Sequence, residues 1–211
     1  MIPRGKLAAG LGLQAALFVT AGAAMWVYSG RELSGFIDFR WWPVMQGIAF
    51  GLGLIALAAA VFMAFPRFLA HTTGLQSHMA PLFTERSDWR VYVFIALCAG
   101  IGEEALFRGG LMTLLQDSVG PVAAILLSAL AFALFHLAKP LIGAIIVLIG
   151  VIFGVVYWWT GSLMTAMIGH AVYDVWALHV LHRELHRLGY LSLATSGPAI
   201  SAGDHASGTS A

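Results

Sequence analysis

The stretch AGIGEEALFRGGL, residues 99–111, sets two adjacent carboxylates and a guanidinium inside an apolar run. Ionisable groups near the centre of a bilayer are costly and persist when paired, when they line a wet cavity or when they function. Glu104 and Arg108 are spaced i, i+4, so on a helix they share a face and form an ion pair. Glu103 points about 100° away around the same helix and is left as the unpaired carboxylate, a group suited to act as general base on a water. The alternative, reading these residues alone, is a helix-packing ion pair beside a protonated neighbour.

Two further runs carry polar groups at the same spacing. FALFH places Phe132 and His136 one helical turn apart, and HAVYD does the same for His170 and Asp174. A single membrane histidine is commonly an interhelical hydrogen-bond partner. Here the polar groups fall in three apolar segments while three others have almost none, a distribution that asks for one shared polar cavity. Glu103, Glu104, Arg108, His136, His170 and Asp174 together suffice for acid–base chemistry on a water.

The elements that must position these residues follow from composition. The chain has 211 residues, 60% hydrophobic and 10% charged. Soluble domains run at roughly 45–50% apolar and about 25% charged, so this is an integral membrane protein. A net charge of +1 gives no basic footprint for nucleic acid. The lone cysteine, Cys98, excludes an intrachain disulfide and reads as an inert thiol among apolar neighbours.

A spanning helix needs about 20 mainly apolar residues. Six segments come close, 7–28, 44–65, 91–115, 121–138, 141–159 and 163–181, with Gly120-Pro121, Lys139-Pro140 and Gly161-Ser162 punctuating tight joints. The fold expected is an all-α polytopic transmembrane helical bundle of about six spans, one domain over 1–192 with its motif core at 91–182. Residues 66–90 are expected as the longest polar loop, and 193–211 as a disordered tail too poor in apolar residues to fold. The opening MIPRGK, followed by an apolar stretch and Ala21-Gly22-Ala23, has the look of a signal peptide; the run continues through Tyr28, which favours an uncleaved first helix.

The order of the motifs, Glu-Glu-x-x-x-Arg, then Phe-x-x-x-His, then His-x-x-x-Asp, on successive apolar helices resembles the CPBP family, the CAAX proteases and bacteriocin-processing (ABI) enzymes. The resemblance implies intramembrane peptide-bond hydrolysis of membrane-associated peptides or proteins. It implies Glu103 as base with His136 as its partner in activating water, and His170 with Asp174 as the pair stabilising the oxyanion. Eukaryotic members resemble the pattern with Asn at the position of Asp174. An ionised Asp cannot donate to an oxyanion, so Asp174 is expected chiefly to orient His170 along the helix face.

Cofactor use stays open between glutamate-dependent hydrolysis and a divalent metal such as zinc. Glu103, His136, His170 and Asp174 offer suitable N and O donors, yet no compact zinc spacing is present. His179, His182 and His186 read as a polar helix end at the membrane interface, with metal binding or pH sensing as the alternative.

Lys and Arg bias sets orientation. Arg4, Lys6, Arg67, Arg86, Arg90, Lys139, Arg183 and Arg187 share one side of a six-span layout, against Arg31 and Arg40 on the other. Both termini are therefore expected in the cytoplasm, in a bacterial plasma membrane. The rival functions are a catalytically inactive scaffold or immunity protein of the same fold, and a proton-coupled carrier. A carrier would want more spans or a repeated architecture.

Overall fold

The computed structural model describes residues 4–83 and 89–191. These residues form an all-α bundle without strands: α1 (Arg4–Tyr28), α2 (Trp41–Ala64), α3 (Pro66–Leu75), α4 (Trp89–Glu104), a π-helical segment (Ala105–Met112), α5 (Thr113–Phe135), α6 (Pro140–Thr160) and α7 (Leu163–Arg187). The expected tail 193–211, and Arg86 in the charge count, lie outside the described residues.

Among the described residues, four helical stretches are long and apolar enough to cross a membrane: Gly5–Tyr28, Trp41–Ala64, Trp89–Phe135 and Pro140–Thr160. Two causes separate this number from the six segments of the sequence. The stretch Trp89–Phe135 runs for 47 residues, about 70 Å if straight, more than twice a hydrocarbon core of about 30 Å. It folds back on itself at Gly120 (φ 79, ψ 166), a backbone state open to glycine at little cost, and Pro121 starts the return. It therefore contains the expected segment 91–115 and all but the last three residues of 121–138. α7, in turn, falls short in hydropathy because it carries His170, Asp174, His179, His182, Arg183 and Glu184.

The other joints follow their sequence signals. Pro140 opens α6 at its first turn, where a missing N–H costs nothing, and Gly161 ends it in the left-handed region (φ 63). Ser162 then caps α7, its Oγ accepting from Thr165 N at 3.3 Å. The expected 66–90 loop is instead largely helical. Pro66 starts α3, Thr72 and Thr73 are buried, and Phe83 packs with Tyr92, Leu185 and Leu191 beneath it.

α7 packs between α2 and α4, α1 lies against α4 and the π-helical segment, and α5 pairs with α6. Small residues let these backbones approach, as helices in lipid require. A Cβ on Gly100 of α4 would stand 2.9 Å from Ala171 N and Met167 O of α7, and one on Gly51 of α2 would stand 2.8 Å from Gly169 O. Apolar side chains such as Leu52, Leu126, Leu130, Leu148 and Val155 point outward. Tyr28, Trp41, Trp42, Trp158 and Trp159 are exposed at the end of the bundle where α1 and α6 finish and α2 begins, the arrangement of an aromatic belt. At that end Arg31 binds Asp117 through two bonds of 2.8 and 2.9 Å, which push the Arg31 guanidinium up from its ordinary value.

Candidate active site

The site grows from the α4–α7 contact at Gly100. Because the two backbones touch there, the carboxylates one turn further along α4 meet the polar face of α7. Glu104 is fully buried, and Arg108, 1% exposed, is among the largest fully buried side chains. Arg108 Nη1 donates to Glu104 Oε1 at 3.0 Å, the pairing that the i, i+4 spacing predicts. Its Nη2 donates to the Gly150 carbonyl of α6 at 2.9 Å, and the guanidinium lies over the rings of Phe132 (4.8 Å) and Phe153 (5.7 Å). Gly150 leaves room for that contact, since a Cβ there would sit 3.1 Å from Ala129 and 3.4 Å from Arg108 Nη2.

Glu104 Oε1 accepts a second bond, from His170 Nδ1 at 2.8 Å. The ring of His170 is tilted against Phe153 at 5.1 Å and meets Phe132 edge-on at 6.4 Å. With Nδ1 committed, Nε2 is the nitrogen turned to the polar groups. It lies 3.8 Å from Glu103 Oε2 and 3.4 Å from Asp174 Oδ2. The side chains of Glu103 and Asp174 retain 13% and 25% of their exposure. A fully buried charge pair thus backs an imidazole whose free edge, with two carboxylates, faces outward.

The structure brings Glu103, Glu104, Arg108, His170 and Asp174 together. His170 contacts both carboxylates, Glu104 through the 2.8 Å bond at Nδ1 and Asp174 at 3.4 Å from Nε2, so the expected i, i+4 contact is present beside a shorter one from the neighbouring helix. The i, i+4 contact of Asp174 is the longer one and falls on Nε2, the nitrogen that also approaches Glu103. His136 stands apart. α5 ends at Phe135, so His136 occupies the following turn, exposed, with Nδ1 donating to Phe132 O at 2.8 Å. It is an electrostatic neighbour of Glu103, as are His170, Asp174 and Glu104, but it is not hydrogen-bonded to it. Leu137 follows in the left-handed region (φ 46), unusual for a bulky residue.

Ser128, Thr113 and Gly150 lie outside the three motifs and join the site only through the fold. Ser128 Oγ donates to Phe107 O at 2.7 Å, and Thr113 Oγ1 donates to Arg108 O at 2.9 Å. A hydroxyl has one proton, so the 3.0 Å contact between Thr113 and Tyr157 is donated by Tyr157. An isolated serine in the apolar run LLSALAF was the available signal for Ser128.

Among the described residues no group of three or more His, Cys, Asp or Glu is arranged to hold a metal ion. His170 and His136 each bond through Nδ1, to Glu104 and to the Phe132 carbonyl, which leaves Nε2 as the open nitrogen of each ring. The three histidines at the end of α7 do not converge either: His182 bonds the Tyr92 hydroxyl through Nδ1 and stacks on Phe83 at 5.3 Å, His179 meets Tyr92 edge-on, and His186 is exposed.

Residues 85–176, which contain every one of the candidate site residues, match the family model described as type II CAAX prenyl endopeptidase Rce1-like. A relative in Bacillus subtilis (strain 168), the uncharacterized protein YpbD, is 27% identical over 175 residues, covering 81% of this chain and 87% of its own length. No solved structure matches.

Proposed function

Because this chain carries a domain of the CPBP family, the Rce1-like endopeptidase group, we propose that it is an intramembrane endopeptidase acting on membrane-associated peptides or proteins. The observation that carries the reading is the placement of Glu103. It is a carboxylate without a cationic side chain bonded to it, 3.8 Å from His170 Nε2 and backed by the buried Glu104–Arg108 pair.

In the proposed reaction Glu103 takes a proton from a water, which attacks the scissile carbonyl. His170 Nε2, when it carries a proton, faces the place where the tetrahedral oxyanion develops and donates to it. Asp174 Oδ2, in contact with Nε2 in the resting site, is displaced from that nitrogen by the oxyanion. Glu103 then returns its proton to the leaving amine. Arg108 and Glu104 stay as they are throughout and fix the imidazole, so little reorganisation is required as charge develops. His136 serves at the rim, where its unbonded Nε2 reaches the water or the substrate backbone.

The layout we read has six spans, with Trp89–Phe135 crossing twice about Gly120 and α7 crossing as the polar sixth helix. Both termini are cytoplasmic, in a bacterial plasma membrane. The hydrolysis is read as glutamate-dependent and metal-free, with Glu103 taking the proton of the water. The deciding experiment compares wild type with Glu103→Gln in reconstituted vesicles containing membrane-protein extracts, with new N-termini identified by mass spectrometry. Peptides released by wild type alone are expected, and release should survive a strong chelator. A product set unchanged by Glu103→Gln would point to the inactive-scaffold reading. Activity lost to chelator and restored by zinc would overturn the metal-free mechanism.

A further inference from the structure

A π-helix is rare, occurs mostly as a single turn, and is frequent at functional sites. Here Ala105–Met112 is π-helical, it begins directly after Glu104, and it carries Arg108. Its carbonyls are out of step with the regular α-helical ladder, and three of them meet groups from outside it. On one side, Ser128 Oγ of α5 donates to Phe107 O at 2.7 Å. At its end, Thr113 Oγ1 donates to Arg108 O at 2.9 Å. On the other side, α1 comes so close that a Cβ on Gly22 would lie 2.1 Å from Ala105 O, and a Cβ on Gly110 would lie 2.8 Å from Gly22 Cα. The Gly22 Cα–H bond is thus aimed at the Ala105 carbonyl, the geometry of a Cα–H···O contact.

We infer that Ser128 and Gly22 are positioning residues of the site, clamping the π-helical turn from opposite sides. Through that turn they set Arg108; Arg108 sets Glu104, and Glu104 holds His170. Wound as an α-helix, the same residues would each be turned further round the axis, and Arg108, though still one turn from Glu104, would be re-aimed relative to the Gly150 carbonyl of α6 that it now meets. Neither positioning residue belongs to the three site motifs. Gly22 lies outside the segment that matches the endopeptidase family, so the first helix becomes part of the working site rather than a mere anchor.

As a statement about hydrolysis this rests on the proposed endopeptidase function, but its first test does not require activity. In protein labelled with 15N-histidine and held in detergent micelles, the His170 Nδ1–H proton bonded to Glu104 gives a downfield resonance, assigned by its loss in His170→Gln. Ser128→Ala, which removes only a hydroxyl, and Gly22→Ala are expected to shift or broaden that signal. On a cleaved peptide they should lower kcat roughly 10-fold to 100-fold, the scale of a small misplacement, with KM little changed. Thr20→Ala removes a hydroxyl–carbonyl bond of the same kind inside α1, and Gly10→Ala adds a Cβ where nothing lies within 4 Å; both should leave signal and kcat in place. Should Gly22→Ala fail to fold, Ser128→Ala decides. An unmoved His170 resonance in folded Ser128→Ala overturns the inference. A displaced resonance in a protein that cleaves no peptide upholds the positioning and refutes the enzymatic reading.

Discussion

Glu104 Oε1 accepts a 2.8 Å hydrogen bond from His170 Nδ1 across the α4–α7 interface, while the same oxygen receives Arg108 Nη1 at 3.0 Å. One buried carboxylate oxygen therefore joins a permanent cation to the imidazole of the site. This relationship divides the two adjacent glutamates into different roles, Glu104 as the holder and Glu103 as the reacting group.

That division predicts unequal damage. Arg108→Ala takes the permanent cation away from a fully buried Glu104 and leaves it the His170 bond alone, a loss of up to about 3–5 kcal/mol for one partner of a buried pair. Folded yield and thermal midpoint in detergent should both fall. Glu103→Gln, at a partly exposed carboxylate, should fold with the wild-type midpoint and lack turnover. Equal losses of folded protein from the two changes would contradict the assignment.

Glu104→Gln should harm turnover more than Asp174→Asn. The amide weakens the charge-assisted bond that fixes His170, whereas Asn at 174 keeps a polar contact on Nε2 and can itself donate to an oxyanion. The measurement is kcat of both variants on one peptide. The reverse order would make Asp174, not Glu104, the residue that sets the imidazole.

Orientation is testable by cysteine labelling in a Cys98→Ala background. Ser34→Cys, His71→Cys and His186→Cys all replace exposed residues. A membrane-impermeant maleimide added to intact cells should label Ser34→Cys alone, the other two reacting only after permeabilisation. Labelling of His186→Cys but not His71→Cys from outside would mean that α7 ends on the opposite face and that the span number is odd.

Leu137 is 93% exposed and holds φ 46, a conformation that costs a side-chain-bearing residue roughly 1–2 kcal/mol. Leu137→Gly should relieve that strain and raise the thermal midpoint, since no packing is lost in exchange. A fall in the midpoint would show that the leucine side chain anchors this turn.

Within one helix, the sequence by itself determined a good deal. A bilayer makes each ionisable group costly, so Glu103, Glu104, Arg108, His170 and Asp174 stood out against their apolar surroundings. Fixed helical geometry then paired Glu104 with Arg108 without any knowledge of neighbours. The joints at Gly120, Pro140 and Gly161 were legible because those residues restrict or release the backbone wherever they occur. What passes between helices was decided only by the tertiary structure. The bond from Glu104 to His170 depends on how α4 and α7 are rotated where Gly100 lets them touch, and no spacing along either helix encodes that rotation. The π-helical turn depends on carbonyl partners supplied by Ser128 and Thr113 and on the approach of Gly22. The exposure of His136 depends on where α5 happens to stop. In each case the deciding energy is a contact between residues distant in the chain, which is why local pattern reached the charged groups but not the arrangement that joins them.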